Sequence, residues 1–168
     1  MTLSLHQASA PLFRQGLTAL AAILDKAVAQ CAERKIDPAV LLADRLAPDM
    51  FPLTRQVQIA CDFCKGVMAR LGGVENPAMA DTETTFAELK ARIAKTRAFV
   101  ESVGEAGFDG AETRTLQLKA GPREFELQGM PYLVGYALPN LYFHMSMAYA
   151  ILRHNGVELG KQDYIGPA

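Results

Sequence analysis

Pro131-Tyr-Leu-Val-Gly-Tyr-Ala-Leu-Pro-Asn-Leu-Tyr-Phe-His-Met-Ser-Met-Ala-Tyr-Ala-Ile-Leu-Arg-His-Asn-Gly156 is the stretch whose reading decides the fold. Val134, Leu138, Leu141, Met145, Ala148 and Leu152 recur at steps of three and four, the seam of a buried helix. Pro139 lies inside that helix, so the Gly135 carbonyl loses its donor and a bend is expected. Asn140 and His144 are four residues apart, which a helix places one turn apart on one face. A carboxamide and an imidazole on so apolar a helix need partners, and those partners define either a site or a polar core. Pro139, Asn140 and His144 also interrupt the only apolar run that approaches the roughly 18 residues of a membrane span.

Working outward, the spacing predicts a first helix from Leu5 to Glu33, with Phe13, Leu17, Leu20, Leu24, Ala27 and Cys31 on one stripe and Pro11 near its start. Pro38 opens a short helical turn, and Leu46 to Pro52 is an extended loop. A second helix takes Pro52 in its first turn and stops at Gly72-Gly73. Leu53, Val57, Ala60, Cys64, Val67 and Leu71 form its stripe, and Ile59 and Phe63 widen it, so burial on more than one side is expected. Thr85 and Glu88 have capping-box spacing and begin a third helix along Phe86, Leu89, Ile93, Thr96, Val100 and Val103. Thr113 to Lys119 and Arg123 to Gln128 alternate around Ala120-Gly-Pro122, a small hairpin before the last helix. The tail from Val157 is expected to be non-helical and to pack back along the helices. These elements predict an all-α, up-and-down four-helix bundle with an inserted β-hairpin, one domain over residues 1–168.

The 168 residues are half apolar and a fifth charged, with a formal net charge of −1. That is the balance of an ordinary soluble domain, and the scattered lysines and arginines argue against nucleic acid as a partner. The amino terminus has no basic region followed by an apolar core, so no secretory signal is expected. Three cysteines, Cys31, Cys61 and Cys64, suit reduced thiols in the cytoplasm.

The residues that carry chemistry lie beside the stripes. His144 suits a metal ligand or a general base; equally, it suits a core histidine bonded to the carbonyl released by Pro139, or to a Tyr or Gln. Arg55, Gln58 and Asp62 share a face of the second helix, either as a ligand with an orienting carboxylate or as a solvated face. Cys61-Asp-Phe-Cys64 has C-x-x-C spelling in mid-helix, away from the strand-to-helix turn that activates a redox pair, so both read as small core residues. His154 suits the last helical turn, where a cation matches the macrodipole. Tyr132, Tyr136, Tyr142, Phe143 and Tyr149 are aromatic anchors for packing or for a second copy.

Phe51-Pro-Leu-Thr-Arg-Gln-Val-Gln-Ile-Ala-Cys-Asp-Phe63, Thr85-Phe-Ala-Glu-Leu-Lys-Ala-Arg-Ile93, Ala137-Leu-Pro-Asn-Leu-Tyr-Phe-His144 and Tyr149-Ala-Ile-Leu-Arg-His-Asn-Gly-Val-Glu-Leu-Gly160 carry a further signal. Together they resemble a domain-of-unknown-function family of the DinB/YfiT-like metalloenzyme superfamily. The resemblance implies a four-helix bundle, commonly a homodimer. In the wider superfamily three histidines hold a divalent metal, and some members are thiol-dependent transferases or isomerases. On this sequence those three positions fall at Gln58, Asn140 and His144, so one imidazole of three remains. Carboxamide oxygens replace imidazole poorly toward zinc or nickel. The expectation is therefore a degenerate metal site, with no metal bound or His144 as its one ligand. What remains is a polar small-ligand pocket of Gln58, Asp62, Asn140 and His144 between helices two and four. The alternatives are a metal- or thiol-dependent transferase or isomerase, and a non-catalytic structural dimer.

Overall fold

The computed structural model describes residues 3–167; Met1 and Thr2, part of the amino-terminal stretch read above, and Ala168 lie outside the described residues. The chain is mostly helical, with one two-stranded antiparallel hairpin. Helix α1 (Leu5–Arg34) starts in a capping box, where Ser4 accepts from the Gln7 N–H and Gln7 reaches back to the Ser4 N–H. It ends at Lys35 in the left-handed region, φ 55°. Helix α2 (Pro38–Ala43) is capped by Asp37, with Pro38 in its first turn.

Helix α3 (Leu53–Gly72) begins one residue later than expected, with Pro52 as its N-cap. It buries Leu53, Val57, Ala60, Cys64, Val67 and Leu71 on one stripe, and Gln56, Gln58, Cys61, Lys65 and Met68 around the rest of its circumference. It packs against α1, against α4 (Phe86–Ser102) and against α6 (Leu138–His154), and the four share one continuous core. The α4 start is the expected Thr85–Glu88 capping box.

Strands β1 (Thr115–Ala120) and β2 (Arg123–Gln128) pair from Thr115–Gln128 to Ala120–Arg123, and Leu116 and Leu118 turn inward. The hairpin returns through α5, the single turn Gly129–Pro131. A Cβ at Gly129 would run into the Ala111 carbonyl, so this close approach requires glycine.

The last long element differs from a single bent helix. Tyr132–Ala137 is π-helical, and regular α6 begins only at Leu138. The wider turn puts Pro139 in the first turn of α6, where a missing N–H is tolerated. Asn140 Nδ2 donates to the Tyr136 carbonyl, one turn back, at 2.7 Å. The tail also departs from expectation. It does pack back, along α1, but through a short helix, α7 (Lys161–Ile165). Asp163 explains it: one oxygen accepts the Gly160 N–H at 2.8 Å and the other meets Lys26 Nζ of α1 at 2.8 Å. Among the described residues, no helix is long and apolar enough to cross a membrane.

One ion cluster fixes the long connection before α4. The Arg92 side chain is 1% exposed and lies 2.8 Å from Asp62 on α3, 3.0 Å from Asp81 and 3.0 Å from Glu83. Arg92 also donates to the Ala80 carbonyl at 3.2 Å. Burial opposes the charge on Glu83, but hydrogen bonds from Arg92, from backbone and from Gln58 outweigh it and hold the carboxyl below its ordinary value. Replacing Arg92 with leucine leaves Glu83 half-buried without its cation; urea unfolding should show a loss of about 3 kcal/mol. The pH dependence has a definite sign. Because the folded state lowers the Glu83 pKa, its stabilisation is present above the ordinary carboxylate range of about 4.3 and is lost as pH falls below it. Melting temperatures taken down through that range should fall less steeply for Glu83→Gln than for the wild type.

Candidate functional site

The seven-residue spacing of Gln56, Phe63 and Arg70 puts them on the edge of α3 that faces α6 and the π-helical segment. Each meets an aromatic or polar side chain there. Gln56 meets His144, Phe63 packs against both Tyr136 and His144, and Arg70 meets Tyr132. Arg55, Gln58 and Asp62 belong to the neighbouring edge, toward α4 and the connection before it.

His144 is 8% exposed, and its Nδ1 lies 2.7 Å from Gln56 Oε1. The Gln56 amide has one sensible orientation, because its Nε2 donates to the Phe51 carbonyl at 3.0 Å. Oε1 is therefore the acceptor and His144 Nδ1 carries the proton. The lone pair falls on Nε2, which has no hydrogen-bond partner among the described residues. The ring is stacked on Phe63, centroids 6.1 Å apart, and edge-on to Phe143 at 5.3 Å. Burial, and then the nearby Arg55 charge, lower the His144 pKa, so the imidazole is neutral at physiological pH.

The four residues expected from sequence do not all meet directly. Gln58 is buried, accepts from Arg55 Nη1 at 3.2 Å and donates to Glu83 at 2.8 Å. Asp62 is half-buried and engages Arg92 and, at 3.4 Å, Lys65. Asn140 spends its amide N–H on the helix beneath it. The direct partner of His144 is Gln56, a residue the sequence reading passed over. Its signal was the heptad relation to Phe63 and Arg70, on a helix already expected to be buried on more than one side.

The donors do not fit a zinc or nickel centre. Among the described residues, no three of His, Cys, Asp and Glu are grouped to hold a metal. The Gln56 oxygen is occupied by the imidazole N–H, and Nε2 of His144 is one lone pair where several must converge. His6 lies against the Val103 carbonyl and Phe108, and His154 is exposed in the last turn of α6. Cys61 and Cys64 are free and buried; desolvation pushes Cys61 up to about 12 and Cys64 well above its usual value, so neither thiol ionises.

The family model described as a domain of unknown function, DUF1993, matches residues 5–165. A crystal structure of a DinB family member protein from Shewanella denitrificans is similar over 98% of this chain and 93% of that one, with 45% sequence identity and a TM-score of 0.89. None of the curated proteins matches. With the matched region running from the first turn of α1 to the last residue of α7, this chain belongs to the DUF1993 family and is a DinB-like domain of unknown function.

Proposed function

We propose that this protein is a single-domain, up-and-down four-helix bundle of the DinB type whose ancestral metal position has become a polar small-ligand pocket. The pocket lies around His144 between α3 and α6, with Asn140 on the same helix and Gln56 behind the imidazole, and Gln58 and Asp62 flank it from the adjoining edge of α3 that faces α4. One observation carries the reading: Gln56 locks His144 in the Nδ1–H tautomer, so a neutral Nε2 lone pair is held without a protein partner. Such a group accepts a hydrogen bond from an N–H or O–H of a ligand, and it can take a proton if the ligand gives one up. Phe63 and Phe143 keep the ring from rotating away. Three free, buried thiols support a cytoplasmic setting. The exposed Val134, Tyr142 and Phe143 on the last long element support a homodimer, with these side chains facing a second copy.

Three measurements test this. Nitrogen-15 NMR of the histidines should show His144 as the Nδ1–H tautomer with a pKa below the ordinary value of about 6.5, and Gln56→Leu should abolish that preference. Metal analysis of protein purified without an affinity tag should find no stoichiometric zinc or nickel. A stoichiometric metal that disappears in His144→Ala would overturn the degenerate-site reading in favour of a metal-dependent transferase or isomerase. The folded state disfavours imidazolium, so the His144 contribution to stability is lost as pH falls below about 6.5, and His144→Leu should flatten that part of the pH profile.

A further inference from the structure

Next to the imidazole, but not including it, a cleft of about 150 Å³ opens between α3, the hairpin and the π-helical segment. Asp62, Phe63, Arg70, Lys119, Tyr132 and Tyr136 line it. Two half-buried rings, Phe63 and Tyr136, face it, and the fully buried Tyr132 stands behind them. Phe63 stands edge-on to Tyr136 with centroids 6.0 Å apart, and Tyr132 is stacked beside Tyr136 at 6.2 Å. This is a slot for a flat apolar body.

The charges at the cleft are unequal. Asp62 is already matched by Arg92 and Lys65. Lys119 has only an exposed contact to Glu124 at 3.3 Å, a weak pairing that a ligand can replace. Arg70 has no carboxylate within 4.0 Å among the described residues. Its guanidinium is nevertheless held in place. Nη1 donates to the Tyr132 hydroxyl at 3.1 Å, and the group lies 5.9 Å from the Tyr132 ring centroid. It also lies over Gly66 of its own helix. A Cβ at Gly66 would stand 2.5 Å from Arg70 Nη1, and that side chain alone is what it would meet. Glycine in a helix interior is unfavourable relative to alanine. Here it leaves a shelf on which the guanidinium rests. With one Nη1 proton given to Tyr132, the Nη2 and Nε donors remain for a planar, two-oxygen partner.

We propose that this cleft is a binding site for a small aromatic carboxylate, its carboxylate on Arg70 and Lys119 and its ring against Phe63 and Tyr136, with Tyr132 holding the Arg70 guanidinium from behind. The planar fork of arginine favours a carboxylate, and the Phe63 and Tyr136 rings favour an aromatic body over a bare inorganic anion. The cleft borders the proposed His144 pocket and shares Asp62 and Phe63 with it, but the anion-binding groups Arg70 and Lys119 belong to the cleft alone, so either reading can fail without the other.

Calorimetric titration with benzoate, benzamide and inorganic phosphate tests it. Benzoate should bind saturably, and benzamide and phosphate should bind about tenfold more weakly or worse. Arg70→Gln should weaken benzoate by about tenfold or more, the loss of a charge-assisted contact. Gly66→Ala is the sharper variant. It should fold with a melting temperature at or above that of the wild type, since alanine is the better helix former and the only atoms displaced are the end of a flexible side chain. It should still lose benzoate affinity, because the guanidinium is pushed from its seat. His144→Leu should retain benzoate binding. Absence of saturable benzoate binding, equal affinity for benzamide or phosphate, or unchanged benzoate affinity in both Arg70→Gln and Gly66→Ala would overturn the proposal.

Discussion

Helix α3 is buried around most of its circumference, and the rest of the structure answers to that constraint. A helix with one dry stripe leaves its polar residues to water; this one carries Gln56, Gln58 and Lys65 into the interior, and Asp62 half-way. A buried polar group is destabilising unless it is bonded, so each must be met from a neighbouring element. Gln56 is met by His144 of α6, Gln58 by Glu83, Asp62 by Arg92 of α4, and Lys65 by Asn76. The partners come from three separate parts of the chain. Their bonds therefore set how α4, α6 and the connection from Gly73 to Thr85 sit on α3.

The π-helical segment follows from the same demand on the other side of the contact. Tyr132 must reach Arg70, and His144 must reach Gln56, which precedes Arg70 by fourteen residues on the helix that α6 packs against. The wider turn of Tyr132–Ala137 changes the angular phase between these two residues, so that both face α3. It also puts Pro139 just past the junction of the π-helical turn and regular α6, where the change of hydrogen-bond register accommodates its missing N–H. Proline, π-turn and the Asn140 bond to the Tyr136 carbonyl are thus one local solution to backbone hydrogen bonding.

What was legible in the sequence was what short-range chemistry decides. The Thr85–Glu88 box, the glycine stop after α3, the alternating strands around Gly121-Pro122 and the apolar stripes of α1, α3 and α4 act within a few residues and are found, whereas Val134 of the seam expected on the last helix lies in the π-helical turn and is exposed. Periodicity carried less information where an element has more than one buried face. Gln58 and Asp62 were picked out because they share a face with Arg55, whereas Gln56 lay outside that face and is the residue that touches His144. The three carboxylates around Arg92 were not legible either, since Asp81 and Glu83 sit in an irregular connection whose path only the fold decides. Helix α7 escaped because five residues are too few for a periodic signal, and its start depends on Asp163 together with Lys26 from the other end of the chain.

The chemistry around His144 differs from that of a metal site in a way that goes beyond counting imidazoles. A metal needs several lone pairs converging on one point and an electrostatic field that welcomes a cation. Gln56 turns its oxygen toward the imidazole N–H, so that this lone pair is not available to a metal. Arg55 adds a positive field that disfavours charge on the imidazole, and the same field opposes any cation brought up to Nε2. A neutral or anionic ligand with a hydrogen to donate meets neither obstacle. Gln56 and Arg55 thus work against a cation at Nε2 while α3 stays packed on α6 through one continuous core.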